Sequence, residues 1–361
     1  ADFGGSTYKG KASFGESTYE KNVIFSTSNS HSTYKGKADF SGSTYRGDWV
    51  NFSDSTYEKK VIFSTSNSRS TYEGWTYFGG STYKGKASFG ESTYEKGVIF
   101  STFASRSTYE GPADFGGSTY KGKAEFGEST YEKDATFSTS NFRSTYQGEA
   151  DFHGSTYGGL AHFQGSTYNK QVNFSGSTYH GLINFNNSTY QGIADFNNST
   201  YQGNVDFCRS TYLNKATFND SFYQDAADFS ESNYQSWAHF INSTYQSTVT
   251  FDLSTYSMAT FNDSSYQDMA SFLSSVYQGP ADFHGSVYKS YALFSSSTYW
   301  GTANFNNSTY QAMTEFSNSI YRLEADLTKT IHKGITNFSS SIFYTEIYFS
   351  KNKEFFSSSC F

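Results

Sequence analysis

Aromatic residues set the hydrophobic pattern of this chain, because Phe and Tyr recur with alternating spacings of five and six residues. The series Phe3, Tyr8, Phe14, Tyr19 and Phe25 opens the sequence, and the same spacing recurs far along it. Between the aromatics lie Ser, Thr, Gly and charged residues, in a unit that reads A-D-F-x-G-S-T-Y-x-G-x. A unit of eleven residues, copied about thirty times, is typical of a solenoid rather than of a globular domain.

Alternation within each unit predicts short β-strands joined by turns. In the segment 38–40, Ala and Phe point to one side of a strand and Asp to the other, and in 43–45 Ser and Tyr point inward and Thr outward. Gly42 and Gly47 follow the aromatics, where we expect turns with positive φ. An α-helical supercoil is excluded, because residues five apart lie ~140° around a helix and would place Phe and Tyr on two separate stripes.

The A-D-F-x-x and S-T-Y-x-G segments resemble the pentapeptide-repeat family, in a variant with one extra residue after every second pentapeptide. The resemblance covers roughly residues 1–316 and weakens after them. It implies an all-β fold, a right-handed quadrilateral parallel β-helix with two eleven-residue repeats, about 22 residues, per coil. The chain departs from the family by placing Tyr on alternate faces. We expect the buried Tyr hydroxyls to find partners in Ser or backbone carbonyls at the corners.

Composition narrows the function classes. Only 35% of the 361 residues are hydrophobic, but 20% are aromatic, so the core is predicted to be a Phe/Tyr core. The net charge of -7 argues against a nucleic-acid partner bound through its phosphates. Cys208 and Cys360 provide no disulfide framework, and no apolar run reaches the ~18 residues of a membrane span.

Three zones are predicted along the chain: 1–149, 150–321 and 322–361. The first consists of four super-repeats of about 37 residues, each three 11-mers plus four extra residues, and each with one Phe-to-Tyr gap of nine residues. These inserts are either small loops or an extra face. Since a super-repeat spans three half-coils, successive inserts should lie on alternating sides. The second zone is regular, and the third is a degenerate cap or assembly segment.

Two outward ranks of residues are candidate binding surfaces. The Thr of each Ser-Thr-Tyr forms a rank that could bind ice or could serve strand propensity and Thr–Thr stacking alone. Asp precedes Phe at eight positions and forms a broken acidic rank, for which calcium is the alternative to a solvated face. The seven His do not cluster, and no nucleophile constellation or phosphate loop is present, so we expect no enzyme activity, no metal and no cofactor.

Glycosylation is a candidate modification of the surface. Sequons are frequent in the second zone, in turn-adjacent positions, although Asn is also favoured in turns for itself. The selected acceptors are Asn187, Asn198, Asn242 and Asn307. Glycans are therefore a partner that the sequence allows.

The repeat favours a non-enzymatic structural protein that assembles end to end into an extracellular filament or surface layer, with a cytoplasmic location as the alternative. Uncapped solenoid ends expose strand edges and aromatic rings, and head-to-tail contacts between copies do not close. The expected interface residues are Ala1, Phe3, Tyr8, Phe349, Phe355, Phe356 and Phe361. The alternatives are a DNA-mimic topoisomerase inhibitor, an adhesin, an ice-binding solenoid, and a C-terminal tail that caps its own solenoid.

Overall fold

The computed structural model describes residues 1–349 of the chain. The chain falls into two compact units, Ala1–Gly192 and Ile193–Phe361. Both units are all-β, and no helix occurs among the described residues. Each is a parallel β-solenoid, as the repeat predicted.

A typical coil has four short strands, one on each of four faces, and each strand pairs in parallel with the equivalent strand of the next coil. In the first unit Thr7 pairs with Thr33, and Ala12 pairs with Ala38. Thr18 pairs with Thr44 in the same way, and Val23 pairs with Val50. We name the faces, in chain order, the first Tyr face, the first Phe face, the second Tyr face and the second Phe face.

The strands of the first unit fall into four sets, one for each face. The first Tyr face contains Thr7–Tyr8, Thr33–Tyr34, Thr56–Tyr57, Thr82–Tyr83, Thr108–Tyr109, Thr130–Tyr131, Thr156–Tyr157 and Thr178–Tyr179. The first Phe face contains Ala12–Ser13, Ala38–Asp39, Val61–Ile62, Ala87–Ser88, Ala113–Asp114, Ala135–Ser138, Ala161–Phe163 and Ile183–Asn184. The second Tyr face contains Thr18–Tyr19, Thr44–Tyr45, Thr71–Tyr72, Thr93–Tyr94, Thr119–Tyr120, Thr145–Tyr146, Thr167–Tyr168 and Thr189–Tyr190. The second Phe face contains Val23–Ser26, Trp49–Phe52, Trp75–Tyr77, Val98–Ser101, Ala124–Phe126, Ala150–Asp151 and Val172–Asn173.

The second unit repeats the four faces. Its first Tyr face contains Thr200–Tyr201, Phe222–Tyr223, Thr244–Tyr245, Ser265–Tyr266, Val287–Tyr288, Thr309–Tyr310 and Ile331–His332. Its first Phe face contains Val205–Asp206, Ala227–Asp228, Val249–Thr250, Ala270–Ser271, Ala292–Leu293, Thr314–Glu315 and Thr336–Asn337. Its second Tyr face contains Thr211–Tyr212, Val276–Tyr277, Thr298–Tyr299, Ile320–Tyr321 and Ile342–Phe343. Its second Phe face contains Ala194–Asp195, Ala216–Thr217, Ala281–Asp282, Ala303–Asn304, Ala325–Leu327 and Ile347–Phe349. The longer strands Asn233–His239 and Thr255–Thr260 each run over both of these last two faces.

Stacked aromatic rings fill both units. Within a ladder, the rings of Tyr34 and Tyr57 stack at a centroid distance of 4.8 Å and an interplanar angle of 9°. Between ladders, the rings of opposite Phe faces meet edge to face, as Phe25 and Phe40 do at 5.0 Å. Both geometries are the favourable ones for aromatic pairs.

The inward and outward positions agree with the alternation predicted from the sequence. Tyr157, Tyr168 and Tyr179 are each 1% exposed. The Thr residues that precede them are partly exposed. The register assigned to each Ser-Thr-Tyr segment is therefore confirmed.

The expectation for the Tyr hydroxyls holds in part. The Tyr19 hydroxyl donates to the Phe14 carbonyl at 3.4 Å. The hydroxyls of Tyr57, Tyr120 and Tyr266 are buried beside the corner serines but form no well-aligned hydrogen bond with them. The corner serines serve the backbone instead: the Ser264 hydroxyl donates to the Phe240 carbonyl at 3.0 Å and accepts the Ser243 N–H at 3.2 Å. Burial accordingly raises the pKa of these tyrosines well above 10.

The two corners of each repeat use glycine for different reasons. Gly42, two residues after Phe40, has φ of +70° as expected. At the same corner other coils place non-glycine residues such as Glu16 and Asp54, with φ near +55°. Gly47 does not have positive φ, so that expectation is wrong. A Cβ at Gly47 would lie 2.5 Å from the backbone of the neighbouring coil, so it is the close approach of coils that excludes a side chain.

The four inserts of the first unit are loops, not an additional face. In the first, Thr27 and Ser30 exchange backbone hydrogen bonds of 3.2 and 3.0 Å, and equivalent residues close the second and third. In the fourth, the Thr139 N–H donates to the Phe142 carbonyl. The first and third inserts follow strands of the second Phe face, and the second and fourth follow strands of the first Phe face. The predicted alternation of sides is confirmed.

Candidate functional surfaces

Unbroken ladders of threonine cover both Tyr faces of the first unit. On the first Tyr face, register pairing places eight Thr residues in one row. The second Tyr face has another eight. The row beside the second ladder is charged, since Arg46 pairs with Glu20 at 2.8 Å and Lys121 pairs with Glu95 at 2.8 Å.

The acidic rank on the Phe faces has a local structural role. The Asp39 Oδ1 atom accepts the Ser41 N–H at 3.1 Å, and the same contact to the residue two positions later recurs around the coils. Asn replaces Asp without loss of the contact, as at Asn173, which accepts the Ser175 N–H at 3.0 Å. An Asx turn of this kind explains why Asp or Asn often precedes Phe in this repeat.

One acidic cluster in the second unit also contains a thiol, and no sequence pattern singled it out. Ligand atoms of Asp206, Cys208 and Asp228 lie within 4.8 Å of one another and could hold a metal ion. The Cys208 N–H, however, donates to the Asp206 carboxylate at 3.0 Å, and the Ser230 N–H donates to Asp228 at 2.9 Å. Burial, with the two carboxylates adding to it, raises the pKa of the Cys208 thiol to about 12, which keeps the thiol protonated.

The selected sequon residues occupy the strained position of their turns. Asn187, Asn198, Asn242 and Asn307 are all exposed and have φ between 54° and 56°. Asn tolerates this left-handed conformation better than most residues. Their side chains are accessible on the surface. The left-handed backbone conformation of the turn is by itself enough to explain why Asn occurs there.

A shallow groove lies between two inserts on the first Phe face of the first unit. The insert at 64–68 and the insert at 139–142 border it, and Ser88 and Asp114 of the intervening coils form part of its floor. Its volume is ≈ 240 Å³. Lys60 and Lys86 line its remaining edge. The repeat pattern did not predict this groove, because the groove depends on which coils of the stack carry the inserts.

The residues predicted for assembly lie partly within the described chain. Phe3 stacks on Phe25 at 5.2 Å, and Tyr8 stacks on Tyr34 at 4.9 Å. The amino group of Ala1 donates to the Asn22 carbonyl at 3.1 Å. In the second unit, Phe349 contacts the edge of Phe338 at 5.9 Å. The remaining predicted interface residues lie outside the described residues, namely Phe355, Phe356 and Phe361.

Comparison with known proteins gives no relative. No protein-family model, no curated protein and no solved structure matches this chain significantly. Residues 1–349 contain no helix long and apolar enough to cross a membrane. The function must therefore be inferred from the surfaces of the chain itself.

Proposed function

We propose that the protein is a non-enzymatic structural protein that assembles end to end into an extracellular filament or surface layer. The observation that supports this is that successive coils contact each other through identical residues in register. Tyr stacks on Tyr, Phe stacks on Phe and Thr pairs with Thr. A surface that matches a translated copy of itself is the kind that forms open, head-to-tail assemblies.

The chemistry of a coil edge supports the same proposal. Each strand in the described stack exchanges backbone hydrogen bonds with the next, as when the Ala38 N–H donates to the Lys60 carbonyl at 3.1 Å. An edge strand offers the same donors and acceptors to a second chain. Phe3 and Tyr8, which are expected at the interface, are partly exposed.

Sedimentation velocity across a range of protein concentrations, with negative-stain electron microscopy, tests assembly. We expect concentration-dependent growth into linear particles. Tyr8→Lys places a charge on an inward ring position of the first coil and should weaken growth at least ~10-fold, since a buried charge is costly. Thr7→Lys, at the adjacent outward position, is the matched control. A single monomeric species at every concentration contradicts the proposal.

We propose further that the solenoid is a right-handed variant of the pentapeptide-repeat β-helix. The A-(D/N)-F segments and the four strands per coil support this assignment. A crystal structure tests it through the handedness of the coil. A left-handed coil would place the chain outside that family.

The Thr ladders favour ice binding as a second candidate function. Eight outward Thr residues in register form a regular row of hydroxyl and methyl groups with a spacing of ~4.8 Å. Thermal hysteresis of the purified protein tests this function. Thr82→Lys should abolish the activity, and Thr298→Lys, in the second unit, should not. Absence of hysteresis at millimolar protein removes this candidate.

A further inference from the structure

One corner of the first unit concentrates basic side chains over four consecutive coils. It lies between the first Tyr face and the first Phe face, and we call it the basic corner: residues 9–11, 35–37, 58–60 and 84–86. Together these segments contain eight lysines and one acidic residue, Glu58. Such a density contrasts with the net charge of -7 for the whole chain.

The lysines of the basic corner form rows along the coil stack. Lys11, Lys37, Lys60 and Lys86 precede paired strands and therefore lie in register. Backbone hydrogen bonds place Lys37, Lys60 and Lys86 on successive coils, since their carbonyls accept from the strand residue of the preceding coil at 2.9 to 3.1 Å. The charges in this row are therefore separated by about one coil rise, ~4.8 Å.

A second row runs parallel to the first, two residues earlier in each coil. It contains Lys9, Lys35, Glu58 and Lys84. Carbonyls of Tyr8, Tyr34 and Tyr57 accept hydrogen bonds from the N–H groups of the next residues in this row, at 2.9 to 3.0 Å. Lys59 occupies the corner between the rows.

The ammonium groups of the basic corner are not neutralised by the protein. All eight lysines are exposed, and none forms an ion pair within the described residues. Elsewhere in the same unit, Lys121 and Lys123 pair with Glu95 and Glu125 at 2.8 and 2.6 Å. Closely spaced unpaired charges of one sign raise the local potential and attract polyanions.

The groove between the two inserts is continuous with this corner, because Lys60 and Lys86 line both. Its other edges include Thr65, which is partly exposed, Ser66, which is exposed, and Phe142, which is 49% exposed. Two acids also line the groove: Glu91 pairs with Arg69 at 2.7 Å, and Asp114 accepts the Gly116 N–H at 3.1 Å and keeps its charge.

We propose that the basic corner and the adjoining groove bind an extended acidic polysaccharide, with its carboxylate or sulfate groups along the lysine rows. Hydroxyl groups and an exposed aromatic ring beside a charged row suit sugar hydroxyls and the apolar face of a sugar ring. Lysines in straight rows match an extended chain. They do not follow the phosphates of duplex DNA, which wind around the helix and carry one charge per ~1.7 Å of axis.

Binding titrations with alginate and heparin as probes, at low and physiological salt, test this site. The quadruple variant Lys35→Gln, Lys37→Gln, Lys84→Gln and Lys86→Gln removes charge from the basic corner. The matched control is Lys21→Gln, Lys96→Gln, Lys121→Gln and Lys123→Gln, which removes the same charge at the opposite corner. All eight positions are exposed, so circular dichroism spectra should be unchanged.

We expect the basic-corner variant to lose at least ~10-fold affinity and to show a smaller salt dependence, because fewer counterions are displaced. The control should change affinity less than ~2-fold. Equal losses in both variants would show that only net charge matters and would overturn the proposal. No binding of either polysaccharide would overturn it too, as would tighter binding of duplex DNA than of alginate.

The groove is tested separately with the exposed aromatics of two inserts. Phe142→Ala should weaken alginate binding several-fold, because Phe142 borders the groove and is 49% exposed. Phe103→Ala is the control, since Phe103 is 74% exposed in an insert that follows a strand of the other Phe face. If both substitutions have the same effect, or neither has any, the groove has no part in binding.

Discussion

At the scale of single residues, each position of the repeat performs one physical task. Phe and Tyr rings stack in the core, and the Ser hydroxyls form hydrogen bonds with backbone groups at the corners. Asp or Asn forms the Asx turn, as Asp195 does with the Asn197 N–H at 3.0 Å. A substitution is tolerated when the new residue performs the same task. His332 is one such substitution, because it occupies a Tyr position and its ring stacks on that of Tyr310 at 4.8 Å.

His332 should make the last coils of the second unit sensitive to acid. Burial lowers the pKa of His332 to about 4. In the unfolded chain its pKa is ~6.5, so the unfolded state alone binds a proton between these values and the free energy of unfolding falls as pH drops from 6.5 to 4. The loss should reach ~3 kcal/mol.

Hydrogen exchange of residues 310–349 at pH 7 and pH 4.5 measures this effect. His332→Tyr restores the ladder residue and should abolish the pH dependence of protection. His153→Asn, in the first unit, is the control. A His332→Tyr protein that still loses protection in acid would refute the assignment.

At the scale of the coil, stability depends on how closely successive backbones approach. Corner glycines are the sensitive positions. A Cβ at Gly36 would clash with the Gly10 carbonyl, whereas a Cβ at Gly10 has no atom within 4 Å. Both glycines occupy the same position of the repeat, which makes them a matched pair.

Gly36→Ala should destabilise the first unit by about 1–3 kcal/mol, because the coils must separate to accept the methyl group. Gly10→Ala should change the unfolding free energy by less than ~0.5 kcal/mol. Urea denaturation of both variants measures the difference. Equal stabilities would show that the corners adjust without cost.

Removal of a single core ring should damage the solenoid only locally. Phe196 stacks on Phe218 at 4.8 Å and meets Phe207 edge to face at 5.0 Å. Phe196→Ala should cost about 3–5 kcal/mol, and nearest-neighbour coupling should confine the damage to a few coils. Hydrogen exchange shows the extent. Protection lost evenly over the described chain would contradict this one-dimensional behaviour.

The sequence correctly predicted the features that depend on local alternation. It did not predict the features that depend on contacts between neighbouring coils. The inward-facing residues, such as Tyr168, were predicted from the two-residue alternation of a β-strand alone. The role of Gly47 did not, since it arises from the backbone of another coil. The lysine rows were also missed, because the spacing between partners such as Lys37 and Lys60 varies with inserts and cannot be read from a fixed period.

At the scale of the whole molecule, the tyrosine ladders provide a collective response to alkali. Burial raises the pKa of Tyr45, Tyr146 and Tyr299 well above 10. Unfolded tyrosines ionise near pH 10, so above that pH the unfolded state releases protons that the folded state retains, and stability falls as pH rises.

Spectrophotometric titration tests this collective response. Tyrosinate absorbance should appear in cooperative steps that coincide with loss of the β-sheet circular dichroism, because buried rings cannot ionise in place. Smooth titration near pH 10 with an intact spectrum would show that the ladders admit water.

The alternation of inserts between the two Phe faces has an evolutionary consequence. Both halves of a coil have the same order of Tyr and Phe positions. Gain or loss of one 11-residue repeat therefore preserves the Tyr-on-Tyr and Phe-on-Phe stacking of the core. The same event moves all later surface features of that unit to the opposite corner. An odd change in the number of repeats therefore keeps the core but exchanges the positions of the later surface features, whereas an even change keeps both. Homologous genes that differ by one repeat should show exchanged surface patterns, whereas those that differ by two should keep them.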